Sequence, residues 1–285
     1  MTDNPPTAEP LVFALPDHRI VSLTGRDAPA FAQAQFMNDV AALAIGHWQW
    51  NGWLTPKGRV IALFELLKTD PETLLLIVAD ADPVELVAKL QRYVFRSKVS
   101  IEVTGDRFVS GSFSAPRSAQ SSEFDGDADR GIELDLSGDG GSRMLRIAAD
   151  SAMPDADAAA RWAAQDLAHG LPRLDASQAE TWTPQQLSLD RLKAYSVKKG
   201  CYPGQEIVAR THFLGQAKRG LVLLESNQPL RPGSEVREDG TAHGTIISAS
   251  ADLALAVMPP VQPGQMLHVD GVPVRARPLV NGLAR

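Results

Sequence analysis

The sequence predicts an α+β body of about 215 residues followed by a small all-β module of about 65. Three observations predict this. Up to Lys218, apolar β-rich runs alternate with capped helical stretches. From Gly220 onward the helical signals vanish, and short apolar runs alternate with Pro/Gly turns. The hydrophobic fraction is 44% and the charged fraction 22%, ordinary globular usage that can fill a core.

The elements follow in order. Ile20–Leu23 reads as a short strand, and Asp27 is placed to cap a helix running to about Asp39. Arg59–Leu67 and Thr73–Ala79 are apolar and joined by turn chemistry, which predicts a hairpin. Asp82-Pro83-Val84-Glu85 is a helix start, with a cap, a first-turn Pro and a Glu. Val87, Leu90 and Val94 then repeat at helical spacing to about Arg96, and a strand over Lys98–Val103 follows. Ser110–Arg130 is rich in Ser, Ala, Asp and Gly and reads as an exposed, mobile loop. Gly131–Leu136 and Met144–Ala149 read as a second hairpin, and Ala156–His169 as a helix ending at Gly170. Thr183-Pro184-Gln185-Gln186 repeats the helix-start pattern, for a short helix to about Tyr195. Five runs (Leu221–Leu224, Gly244–Ser248, Leu253–Val257, Met266–Val269, Val274–Ala276) then make the terminal module a small barrel or a sandwich.

Composition excludes several classes. No apolar run reaches membrane-spanning length, and Met1–Pro10 is polar and Pro-rich, unlike a signal peptide. Cys201 is the one cysteine, so the chain forms no internal disulfide and fits a reducing cytoplasm. One thiol builds no zinc site and holds no iron–sulfur cluster alone, so no bound metal is expected. The net charge is −6, but Arg191–Gly220 carries seven Lys or Arg against one acid, a local +6. The remainder is therefore strongly acidic. One basic island in such a chain points to a local anionic ligand or a solvated basic face, and away from nucleic acid.

The island contains Lys199-Gly200-Cys201-Tyr202-Pro203-Gly204-Gln205-Glu206. Two glycines and a proline make a rigid loop that displays Cys201 and Tyr202 in a defined direction. Lys198 and Lys199 beside the thiol favour its thiolate. A free cysteine is equally at home as a small buried apolar side chain, and Glu206 can simply pair with Lys199 or Arg210.

This segment resembles the KGCYxGQE signature of the YgfZ family at every specified position. Pro184–Asp190, Val208–Thr211 and Gly215–Arg219 resemble the family's flanking stretches. Leu23–Asp27, Gln35–Val40, Gly52–Arg59, and Trp162 with His169–Pro172 are similar to motifs farther out. The likeness is weakest over Ser110–Ala149. The family is in turn similar to the aminomethyltransferase of the glycine cleavage system. The resemblance implies an aminomethyltransferase-like body with antiparallel sheets and helices, over residues 1–218 as two interleaved subdomains. It implies a C-terminal β-barrel over residues 219–285 and tetrahydrofolate bound at a central hole. It further implies a part in assembling or repairing iron–sulfur clusters of client proteins.

The aminomethyltransferases carry paired aspartates on the strand that Gly58–Phe64 matches, and here no carboxylate precedes Glu65. Their Gly-Tyr-Thr-Gly-Glu turn has no counterpart around Ser137–Gly141. The expectation is therefore a folate-binding maintenance factor, cytoplasmic and monomeric, in place of a glycine-cleavage enzyme. The alternatives are a folate-dependent transferase and an interaction scaffold that takes no folate. Cys201 is the expected reactive thiol. Asn38, Asp39 and Gln205 are candidates for polar contact with the pterin, and Trp53 and Tyr202 for its walls. Lys199 and Arg210 are candidates for the tail carboxylates, with Gly204 and Glu206 completing the loop.

Overall fold

The computed structural model describes residues 11–127, 129–174, 176–215 and 218–285. The start Met1–Pro10, Ala128 of the 110–130 stretch, and Gln216 and Ala217 of the Gly215–Arg219 motif lie outside them. The described residues begin with β1 (Val12–Ala14), β2 (Arg19–Thr24), α1 (Ala28–Gln35), β3 (His47–Leu54), β4 (Val60–Asp70) and β5 (Thr73–Val78). There follow α2 (Pro83–Gln91), β6 (Ser100–Val103), β7 (Phe108–Ser112), β8 (Asp125–Asp127), β9 (Gly131–Asp135) and β10 (Met144–Ala148). Next come α3 (Ala156–Ala168), a 3₁₀ turn over Leu189–Leu192 and α4 (Gln205–Leu214). The chain closes with β11 (Gly220–Ser226), β12 (Glu235–Glu238), β13 (Thr241–Ser250), β14 (Leu253–Met258), β15 (Leu267–Val269) and β16 (Val272–Arg277).

The strands form three antiparallel units. One sheet runs β3-β4-β5-β2-β6 and a second runs β1-β7-β10-β9-β8. The third unit is a closed barrel, β11-β14-β13-β12-β15-β16. A closed barrel leaves no free sheet edge. The α+β class and the terminal barrel are thus as the sequence reads, and the barrel resolves the choice between barrel and sandwich.

Strand alternation divides the first sheet between two cores. Phe64, Leu66, Leu74, Leu76 and Val78 face α1 and α2, against Phe31, Phe36, Leu86 and Leu90. Trp48, Trp50, Leu63, Leu67 and Ile77 face the other way. There they join Phe13 and Ile147 of the second sheet, Trp162 of α3, and Leu223 and Leu255 of the barrel in one core. Burying an aliphatic or aromatic side chain stabilises by about 1.5–3 kcal/mol, so this shared core binds the three units together.

Four local readings change. The Asp27 carboxylate does not cap α1; its Oδ2 accepts from the amide of Lys98 at 2.7 Å. The helix stops at Gln35 because Phe36 turns extended and bridges to Trp53. Asp82 does cap α2, accepting from the amides of Val84 and Glu85 at 2.8 and 2.9 Å, worth about 1 kcal/mol. That helix ends at Gln91, where Tyr93 and Val94 bond back three residues and tighten the last turn. The stretch from Ser110 is not simply a loop. Ser110, Gly111 and Ser112 are buried in β7, and a Cβ on Gly111 would lie 2.9 Å from the Trp162 ring. Its small residues there reflect close packing. Lastly, Thr183 and Gln186 do form a reciprocal cap, at 3.0 and 3.3 Å, but no α-helix follows. Ser188 takes a left-handed φ of 47°, and its Oγ accepts from Leu221 of the barrel at 3.0 Å.

Where the three units meet, charge is buried. Arg143, before β10, donates to Asp166 of α3 at 2.6 Å with both side chains inaccessible. Arg173 approaches Asp166 at 3.4 Å and Asp80 at 3.6 Å. It donates to Nε2 of His18 at 2.9 Å, which requires the neutral imidazole. Burial, with Arg173 and Arg143 adding, holds the His18 pKa well below 6.5. Burial also pushes Glu65 up to about 8 against the pull of Arg173, and Asp80 up to about 6. No helix among the described residues is long and apolar enough to cross a membrane.

A raised carboxyl pKa means that the folded chain holds a proton the unfolded chain has released, here from pH 4.5 to about 8 for Glu65. Stability therefore falls as pH rises through that window, by about 1 kcal/mol per pH unit. Chemical unfolding between pH 6.5 and 8 should show this decline; below pH 6.5 it is offset, because His18 takes up a proton only on unfolding. Glu65→Gln should flatten it between pH 6.5 and 8, above the Asp80 titration.

Candidate functional site

The Lys199–Glu206 segment is held from two sides. On one side Lys199 turns inward. Its Nζ donates to the carbonyls of Gln33, Phe36 and Asn38 at 2.6, 2.5 and 3.0 Å. These carbonyls lie at and just beyond the end of α1, where a helix leaves acceptors free and favours a cation. Burial lowers the Lys199 pKa to about 8, with Asp39 pulling upward. The ammonium therefore persists at neutral pH. It also lies 4.9 Å from the centroid of the Tyr202 ring.

On the other side, Gly204 adopts φ +79° against the β3–β4 turn. A Cβ there would stand 2.6 Å from Cα of Gly58 and 2.7 Å from the Thr55 carbonyl. Only glycine fits this approach. Tyr202 is buried between these anchors, and its hydroxyl donates to the Ser196 carbonyl at 3.2 Å. Burial raises its phenol pKa well above the ordinary value, with Tyr195 adding. Cys201 is left exposed and unpaired at the surface of the loop.

The same anchoring shapes a cavity of about 560 Å³. Asn38 bridges its sides, donating from Nδ2 to the carbonyls of Trp50 and Lys193 at 2.9 and 2.8 Å. Ser196 donates from its amide to the Met37 carbonyl at 2.9 Å, and its Oγ accepts from the amides of Lys198 and Lys199. These bonds lay residues 193–198 along β3. Asn38, Asp39, Gln49, Lys193, Tyr195 and Lys198 line the space, with Trp48 and Arg285 behind them. Lys193 and Lys198 are exposed and make no ion pair among the described residues. Gln49 is buried, and its Nε2 has no hydrogen-bond partner among them. Burial raises the Tyr195 phenol to about 12, so it stays a neutral donor. A polar, concave space lined by exposed cations can take a polar anionic ligand.

The sequence-predicted residues divide by place. Asn38 and Asp39 line the cavity; the Asp39 Oδ1 accepts from Gln33 and Ala42. Trp53 packs in the core under α1 and α2, edge-on to Tyr93. Lys199, Tyr202 and Gly204 form the frame, and Gln205 donates to the Lys199 carbonyl at 3.2 Å. Glu206 and Arg210 are exposed on α4. Sequence reasoning missed Gln49, Lys193, Lys198 and Tyr195. The available signal was the alternation of His47–Asn51, which places Gln49 and Asn51 together on one face of a buried strand. A larger hollow of about 720 Å³ on the barrel, between Glu225, Asp252 and Arg275, contains none of these residues. Among the described residues no group of three or more His, Cys, Asp or Glu side chains could hold a metal ion.

Residues 218–279 match the family model "CAF17, C-terminal beta-barrel domain". The chain is 29% identical to the tRNA-modifying protein YgfZ of Aliivibrio fischeri (strain ES114), covering 87% of this chain and 85% of that protein. The YgfZ of Photobacterium profundum is 26% identical, over 86% and 82%. This chain resembles the YgfZ proteins over most of its length. The fold of the YgfZ-like chain is shared with a solved structure, aminomethyltransferase T of the glycine cleavage system from Bartonella henselae. The TM-score is 0.66 at 16% identity, over 95% of this chain and 85% of that one. The likeness to the transferase is one of fold. The YgfZ-like β4 carries no acid before Glu65, which pairs in register with Trp50 and Ile77 and belongs to the buried ionic junction.

Gly204→Ala tests the frame. It forces a Cβ into backbone at a left-handed φ, and should cost about 2 kcal/mol or more in a urea unfolding curve. Gly200, where a Cβ would meet nothing within 4 Å, should accept alanine with little change.

Proposed function

We propose that the chain binds tetrahydrofolate in the cavity beside β3 and supports iron–sulfur clusters in client enzymes, with Cys201 as its reactive group. The observation that carries the reading is a polar cavity lined by Asn38, Asp39 and Gln49 together with the two lone cations Lys193 and Lys198. A pterin offers ring nitrogens and a carbonyl, which the Gln49 amide and the Asp39 carboxylate can pair. The glutamyl tail offers carboxylates, which Lys193 and Lys198 can meet. Lys199, committed to three carbonyls, serves by holding the wall. The resemblance to YgfZ proteins and the aminomethyltransferase fold support the choice of folate. Joined to the relatives' name, the reading is that the clients include an enzyme acting on tRNA.

Calorimetry with purified chain tests this. Tetrahydrofolate should bind saturably, and Lys193→Ala with Lys198→Ala should weaken it about tenfold or more. Arg210→Ala, on the exposed face of α4, should bind as wild type. No saturable heat would sink the folate reading and leave an interaction scaffold. Turnover of an aminomethyl donor would move the chain among the transferases.

Cys201 is tested separately. Cys201→Ser should keep folding and folate affinity, and should lose support of iron–sulfur enzyme activity in cells under oxidative stress. A variant that protects those enzymes as well as wild type would remove the thiol from the mechanism.

A further inference from the structure

The helix α4 is built the wrong way round for a free surface. Of its ten residues only Val208 is buried. Ile207, Arg210 and Leu214 fall at i, i+3 and i+7, with Phe213 beside them, so they share one face. That face looks outward: Phe213 is 66% exposed and Leu214 83%. Ile207 touches the rest of the fold at its root, against Gly58. A helix shorter than about 12 residues is marginal in water without packing on an apolar face. Here the apolar face has no cover among the described residues.

Charge says what covers it. Arg210, Lys218 and Arg219 are exposed and make no ion pair among the described residues, and Glu206 is the one acid on the helix. The rest of the chain is strongly acidic. Outside Arg191–Gly220 the chain carries a net negative charge, which disfavours an extended polyanion such as RNA or an anionic bilayer. A protein can match a local patch. A large aromatic anchor with arginine beside it and a polar rim is also the make-up of a protein interface.

We propose that α4, with Lys218 and Arg219, is the docking helix for an acidic protein that presents an apolar hollow rimmed by Asp and Glu. Cys201 lies in the loop that leads directly into α4, so the docked protein is set beside the thiol. The docking stands whether or not the cavity takes folate.

The test begins with a photo-crosslinking phenylalanine analogue at position 213, in cells of the source organism. A captured protein is identified by mass spectrometry, purified, and titrated against the chain by calorimetry. We expect an acidic protein whose affinity falls at least tenfold with Phe213→Ser and Leu214→Ser together. The triple variant Arg210→Glu, Lys218→Glu, Arg219→Glu should weaken it at least as much, and added salt should weaken the wild-type complex. All these side chains are exposed, so both variants should melt as the wild type does. Crosslinks to RNA or lipid, crosslinks to no protein, or a captured protein that binds both variants unchanged would each overturn the proposal. Folate affinity measured on the same variants should not move, which separates this failure from that of the folate reading.

Discussion

The ammonium of Lys199 is the constraint on which the site depends. It fills the carbonyl end of α1 and, from the same residue, starts the loop that carries the thiol. Three charge-assisted bonds to backbone in a buried setting fix this junction more firmly than a surface ion pair would. Everything local follows from it. The Tyr202 ring lies against the ammonium, Gly204 meets Gly58, and residues 193–198 are drawn along β3 by Asn38 and Ser196. The cavity is the space this drawing-together leaves.

A second constraint works at larger scale. The Arg143–Asp166 pair and Arg173 tie the second sheet and α3 to the first sheet, and the Arg173 amide donates to Ser248 of the barrel at 3.0 Å. Buried charge of this kind is costly to desolvate and adds little to net stability. Its effect is on geometry: it sets which unit faces which, around a shared apolar core. Glu65 sits within this junction. It faces Arg173, Asp166 and Asp80 across the junction, and burial keeps it protonated at neutral pH.

The sequence made the fold class and barrel legible because periodicity and Pro/Gly punctuation are local signals. It also made the loop legible, since KGCYPGQE is rare and its glycines and proline act on their own backbone. It did not show what each loop residue touches. Lys199 read as a cation beside a thiol, while its acceptors come from a helix end more than 160 residues earlier. Trp53 read as a ligand wall, because a strand's face cannot be told until its partners are known. The Thr183–Gln186 cap formed as read, yet the helix aborted. Leu187, Leu189, Leu192 and Ala194 all had to reach the core, and left-handed turns at Ser188 and Lys193 let them. Gln49 was legible only in hindsight, as a polar residue between two buried tryptophans.

The most direct measurement is hydrogen–deuterium exchange on Lys199→Met, which keeps the side chain's bulk and removes its charge. If Lys199 holds the site together, protection falls at both the Met37–Asp39 and the Ser196–Gly204 amides while the barrel strands stay protected. Unchanged protection at both segments would contradict the account.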